Sequence, residues 1–193
     1  AKNVGCSIIN DNILDIDLKK SPFSLLSEKN VRFLADSIII STGASAKWLG
    51  LDSEVKYRGF GVSACATCDA FFFKNKTVAV IGGGNTAVEE AIFLTKFANK
   101  VYLIHRRDKL RAEKILQERL FNNDKVTVIW NSEVKNIYGD ENPNLVKGIE
   151  IQSTKNKEIK NVDLDGVFIA IGHKPNTILF KNQLHLDEEG YIK

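Results

Sequence analysis

The chain has 193 residues, 44% of them hydrophobic and 26% charged, and a formal net charge of +3. That length holds one large domain, or one domain with pieces of another, and the composition excludes a disordered or collagen-like chain. No apolar run reaches the roughly 18 residues of a bilayer-spanning helix, and the small, evenly spread charge gives no reason to expect nucleic acid as a partner. The opening residues Ala1-Lys2-Asn3-Val4-Gly5 contain no secretory core, so the expected compartment is the cytoplasm. Methionine is absent, position 1 included, which points to a piece of a longer protein.

Residues 7–18 alternate loosely and predict a strand or hairpin arm, followed by short strands over 23–26 and 31–34 around a polar turn. Ser37 to Ser41 is a compact apolar run ending in Thr42-Gly43, as a buried strand would be. Residues 44–76 read as irregular or crossover chain. From Thr77 the pattern changes. Val78 to Ile81 is a buried-strand run, and Asn85 to Ala98 carries apolar residues at helical spacing. Residues 101–104, 112–121 and 125–130 continue as strand, helix and strand. This βαβαβ order is that of a nucleotide-binding half. Residues 133–138, 146–152 and 157–161 predict a small antiparallel meander, and 166–171 a last buried strand. The fold class is therefore α/β, a Rossmann-like domain of parallel sheet plus antiparallel meander with flanking segments.

Between the first strand and first helix of that half stands Gly82-Gly83-Gly84-Asn85-Thr86-Ala87, a G-x-G-x-x-A turn. The first glycine permits the tight turn, the second lets a pyrophosphate approach the backbone, and Ala87 permits close helix–strand packing. The helix N-terminus offers free N–H groups to phosphates. The bland alternative is a turn that only tightens the join. The second strand then runs into His105-Arg106-Arg107, with Arg111 beyond and no carboxylate directly after Ile104. Three guanidiniums converging on a ribose 2′-phosphate would select NADPH over NADH. A solvated basic face or a nucleic-acid patch fits less well, because Arg106 lies 22 residues after Gly84.

Cys65-Ala66-Thr67-Cys68-Asp69 precedes the glycine turn, with 14 residues from Cys68 to Gly82. Zinc would need two further ligands, and only the scattered Cys6, His105, His173 and His185 remain. A structural thiol pair is the other alternative to a small reversible disulfide, for which the adjacent Asp69 could move protons. A nicotinamide gives up a hydride whereas a disulfide opens with an electron pair, and flavin is the usual intermediary. FAD is thus expected, although only one glycine fingerprint occurs.

Ser41 to Ala46, Ala64 to Asp69, Ile81 to Ala91, His105 to Lys114 and Ala170 to Thr177 together resemble the bacterial thioredoxin reductases over almost the whole chain. Ala70 departs from the glycine that usually continues the family's cysteine motif. The resemblance implies a homodimeric flavoprotein with an NADPH domain inserted into an FAD domain. It implies that residues 1–48 and 173–193 are partial FAD-domain segments flanking an NADPH-binding domain over 49–172. Cys65 would exchange with thioredoxin, Cys68 would face the flavin, and Asp69 would give or take the proton. Residues Gly82 to Ala87 would line the pyrophosphate and Arg106, Arg107 and Arg111 the 2′-phosphate, with His105 among the cofactor-binding residues. Glu89 and Glu90 fall near the nicotinamide or serve the helix dipole. The chain alone is expected to bind NADPH without holding FAD or turning over. A flavoprotein that reduces a peroxidase, or a nucleotide-binding module without turnover, are the competing readings.

Overall fold

In the computed structural model, which describes residues 1–193, the alternating residues near the start build an antiparallel meander. Its strands are β1 (Ile13–Asp17), β2 (Phe23–Ser27) and β3 (Arg32–Ala35), in that order. The arm expected from Ser7 onward is a strand only from Ile13, where Ile16 becomes buried. Ser37 to Ser41 is not a buried strand. No neighbour hydrogen-bonds to that segment as a ladder, and Ile39 is 92% exposed. An apolar run becomes a sheet strand only where another strand accepts its backbone bonds.

Residues 44–76 are more ordered than their sequence suggests. They contain β4 (Ala44–Ala46), helix α1 (Asp52–Tyr57), β5 (Val62–Ser63), helix α2 (Ala66–Asp69) and a 3-10 turn over Ala70–Phe73. Helices of six and four residues are too short to display a 3.6-residue period. They are held by specific contacts instead. The fully buried Glu54 accepts the backbone N–H of Leu49 at 2.8 Å and of Gly50 at 3.1 Å, and pairs with Arg58 at 3.4 Å.

The expected nucleotide-binding half then follows: β6 (Thr77–Gly82), α3 (Asn85–Leu94), β7 (Lys100–Ile104), α4 (Lys114–Phe121) and β8 (Val126–Ile129). The meander strands β9 (Ser132–Glu141), β10 (Asn144–Ser153) and β11 (Ile159–Asp163) pair antiparallel. The last parallel strand, β12 (Gly166–Ala170), returns beside β6, and β13 (His173–Pro175) pairs with β4. The parallel sheet runs β5-β12-β6-β7-β8. Helix α3 stops at Leu94 rather than Ala98, because Lys96 and Phe97 bond to carbonyls three residues back and Lys125 Nζ takes the carbonyls of Thr95 and Ala98. By chain contacts the molecule divides into two units, Ala46–His173 and a second made of Ala1–Ser45 with Lys174–Lys193. No helix is long and apolar enough to cross a membrane.

Strand alternation sorts the core of the larger unit into two layers. Val78, Val80, Leu103 and Phe168 pack toward α3 and α4. Ala79, Ile81, Ile104, Val167 and Ile169 pack toward the meander residues Val134, Ile137, Ile149 and Ile151. A sheet covered on both faces explains why its strands read as unbroken apolar runs. Phe168 is completely buried and meets the ring edge of Phe73 at 5.2 Å. Phe168→Ala is expected to destabilise the fold by about 3–5 kcal/mol, read as a lower denaturant midpoint at unchanged slope. A loss below about 1 kcal/mol would mean that this layer is not the core.

Candidate functional site

The close approach of α3 to the sheet decides the geometry of the glycine turn. A Cβ on Gly82 would strike the carbonyl oxygen of Ala170 and come within 2.6 Å of the Ala87 Cβ. Ala87 itself is completely buried. A Cβ on Gly83 would run into the His105 ring, whereas one on Gly84 would meet nothing within 4 Å. The first and middle glycines are thus fixed by packing, and the third leaves open space at the N-terminus of α3. Gly84 is the N-cap and offers no side chain to the helix's first N–H groups, which remain available to an anion.

The turn opens into a groove of about 600 Å³, a volume in the range of small-molecule and cofactor sites. Gly82, Gly83, Gly84, Thr86, His105, Arg106 and Arg111 line it. Asn85, Ala87 and Arg107 do not. Asn85 instead clamps Glu113 at the start of α4, accepting its N–H at 2.9 Å and donating to its carboxylate at 3.2 Å. Arg107 is exposed, and its carbonyl accepts the N–H of Asn131. Of the three arginines expected to converge, Arg106 and Arg111 line the groove and Arg107 does not. Arg111 is anchored by its own N–H, which donates to the Gly83 carbonyl at 2.7 Å. His105 is buried, with Nδ1 2.9 Å from the Gly82 carbonyl and Nε2 2.9 Å from the Lys109 carbonyl. It braces the glycine turn against the arginine loop.

Other walls of the groove were not legible in the sequence. Trp48, Leu49 and Leu51 form one, and Ser132 to Lys135 at the start of β9 another. The Trp48 ring is covered by the Arg58 guanidinium at 3.8 Å, a cation–π contact that fixes its orientation. Glu133 lies within the groove, and Lys135 at 3.0 Å holds its carboxyl below the usual carboxylate range, with Lys157 and Arg106 adding smaller effects.

Cys65 and Cys68 are joined as a disulfide with their Cα atoms 5.3 Å apart. Cys65 caps α2, its sulfur accepting the Cys68 N–H at 3.3 Å, and its own N–H donates to Ser63 at the end of β5. Cys65 is half-buried, Cys68 exposed and Asp69 half-buried at the end of α2. Ala70 is buried in right-handed helical conformation, so the position has no need of glycine. No cluster of three or more histidine, cysteine or carboxylate groups surrounds the pair. Ala66 is completely buried in the cluster that holds Ala87, Val88 and Ala91 of α3. The helix that follows the glycine turn thus packs against α2, which carries the disulfide.

Residues 3–193 match the family described as pyridine nucleotide-disulphide oxidoreductase. The chain belongs to that family. It is 56% identical over 192 residues to the thioredoxin reductase of Rickettsia conorii, covering all of this chain and 62% of that protein. The thioredoxin reductase of Escherichia coli O157:H7 is 50% identical over 190 residues, covering 96% of this chain and 58% of its own length. The crystal structure of Lactococcus lactis thioredoxin reductase in its FR conformation superposes with a TM-score of 0.85 at 36% identity, covering 99% of this chain and 62% of that one. The chain thus spans about 60% of the length of these relatives, and its mixed α/β architecture is theirs.

The three glycines are expected to separate by effect. Gly82→Ala and Gly83→Ala should each lower the melting temperature by several degrees, because their added Cβ atoms meet backbone or a braced ring. Gly84→Ala should melt close to the parent and yet bind a nicotinamide dinucleotide at least tenfold more weakly, an effect of about 1.4 kcal/mol. Calorimetric melting and nucleotide titration on the same preparations check this. Unchanged binding by Gly84→Ala would remove the pyrophosphate from that spot.

Proposed function

We propose that the protein reduces the disulfide of thioredoxin with electrons from NADPH, through FAD and the Cys65–Cys68 pair. The observation that carries this is the sharing of α3: its N-terminus opens the glycine-turn groove, and its buried alanines seat the helix that begins beside Cys65. The names of the relatives support thioredoxin as the disulfide substrate. A reversible C-x-x-C with one other cysteine fits a reducing compartment, and the cytoplasm is the compartment this reading favours. A homodimeric whole enzyme belongs to the same proposal.

The groove residues fit a phosphorylated dinucleotide. Gly84 leaves room at a helix N-terminus, and Arg106 with Arg111 supplies donors for a 2′-phosphate. In this assignment Gly82, Gly83 and Ala87 shape the turn, Thr86 faces the nucleotide, and Asn85 and His105 hold the loops. Arg107 adds charge from outside the groove wall. Ala46–His173 is then the NADPH unit, and Ala1–Ser45 with Lys174–Lys193 contributes to the flavin-binding side. Neither cysteine lines the groove, which favours an intermediary over direct reduction of the disulfide. The chemistry the two groups supply when bound is a hydride from nicotinamide, converted through flavin into the electron pair that opens a disulfide. On the protein side, Cys68, the exposed residue of the pair, would take electrons from the flavin, Cys65 would exchange with thioredoxin, and Asp69 would pass the proton that a cysteine sulfur gains or loses.

The chain should prefer NADPH to NADH by at least tenfold, since each charge-assisted contact to a phosphate contributes about 1.5–3 kcal/mol. Arg106→Ala and Arg111→Ala should each remove most of that preference, while Arg107→Ala should change it less than threefold, a shift of about 0.6 kcal/mol. Titration of both nucleotides by calorimetry checks this, and equal affinities for the two in the parent would refute the assignment. Thiol counting should find Cys65 and Cys68 oxidised together and reducible, with Cys6 free throughout. A Cys6 cross-link would count against the redox role of the pair.

A further inference from the structure

Glu90 is an acid in an unusual place. It is the sixth residue of α3, whose first is Asn85, and the field of a helix N-terminus fades within the first turn. A dipole role therefore does not account for it. Its neighbour Glu89 is exposed, whereas Glu90 is half-buried, facing the backbone N–H of Ala66. Ala66 follows Cys65 directly, so the carboxyl lies one peptide unit from the disulfide. Its Oε2 is buried with no hydrogen-bond partner, and no lysine or arginine forms an ion pair with it. Burial pushes the Glu90 carboxyl above the usual carboxylate range, against a smaller opposing effect of the Ala66 N–H.

The surroundings leave few competing charges. Helix α2 brings Cys65, Cys68 and Asp69, and α3 brings the exposed Glu89. Helix α4 offers Glu113, which is bonded to Asn85. The strands behind α3 are apolar at Val78, Val80 and Phe168. On oxidation the pair is neutral. On reduction, a sulfur left as thiolate puts negative charge beside a carboxyl that burial already disfavours as an anion.

We propose that Glu90 is a proton-holding residue for the Cys65–Cys68 couple, taking up a proton when the disulfide is reduced and releasing it when the disulfide re-forms. This rests on the redox reading of the pair. With dithiothreitol as donor, the S–S bond between Cys65 and Cys68 breaks and one forms in the reagent. Two electrons and two protons leave the dithiol. When one protein sulfur remains a thiolate, one proton reaches the other sulfur and one is left over. Glu90 accepts that second proton in the pH window between its ionisation in the reduced and the oxidised forms. Below the window it is protonated in both forms, and above it ionised in both, so the coupling is confined to that interval.

The test is the equilibrium of the pair with dithiothreitol from pH 5 to pH 9, in the parent, Glu90→Gln and Glu90→Met, with Asp69→Asn in parallel. Above the window both Glu90 variants should favour the reduced pair by roughly threefold or more, since a repulsive charge is gone, and the curves should converge as pH falls. A shift by the same factor at every pH, or no shift, in folded Glu90→Gln would overturn the proposal. The Met variant repeats the test with a side chain that neither ionises nor donates a hydrogen bond, and must show the same loss. If Asp69→Asn alone abolishes the pH-dependent interval, the proton belongs to Asp69 and the proposal falls. A parent pair that dithiothreitol does not reduce at all would instead refute the redox reading itself.

Discussion

The close seating of α3 is the contact on which the larger unit depends. An α-helix can lie this near a strand only if the facing residues have almost no side chain, and Gly82, Ala87 and Ala91 meet that need. Ala66 extends the same small-residue contact to α2. Interiors packed to crystal density transmit such constraints with little slack. A methyl group inserted beneath α3 therefore moves two things together, the N–H groups aimed into the groove and the peptide that carries Cys65.

Much of this was legible because its chemistry is local. The glycine turn, its flanking strand and helix, and the parallel order of the sheet follow from patterns a few residues long. The meander and the return strand beside β6 were equally clear, since turns and apolar alternation mark them. Three features were hidden because composition and period alone do not mark them. Ser37 to Ser41 has strand composition but gains no ladder partner. The helices near Cys65 are too short to show a period, and are fixed by Glu54, Ser63 and Ala66. Arg107 stands beside Arg106 in sequence, yet only Arg106 of the two lines the groove.

Gly83 and His105 show how a motif can hide a second function. The fingerprint leaves the middle position free, and only the structure reveals that glycine is required there to admit an imidazole ring. His105 then connects the carbonyl of Gly82 with that of Lys109, while Arg111 N–H holds Gly83 from the other side. The glycine turn and the arginine loop are separated by a whole strand and helix, and these contacts of His105 and Arg111 tie them together. Such ties matter because charged hydrogen bonds discriminate well only when donors are fixed before the ligand arrives.

Two arginines and one carboxylate share the groove, and the carboxylate is paired with a lysine. Glu133 faces the same space as Arg106 and Arg111, and a free carboxylate there would repel a phosphate. Lys135 engages it at 3.0 Å on the same strand. Because both partners are well exposed, that ion pair adds little to stability. Its effect is on the local field, since a carboxylate already paired with lysine competes less for Arg106. The same logic applies with opposite sign near the disulfide, where Glu90 has no cation beside it and its charge is left uncompensated. A partner cation holds the Glu133 carboxyl below the usual carboxylate range, whereas burial pushes the Glu90 carboxyl above it, and the two sites therefore respond to pH in opposite directions.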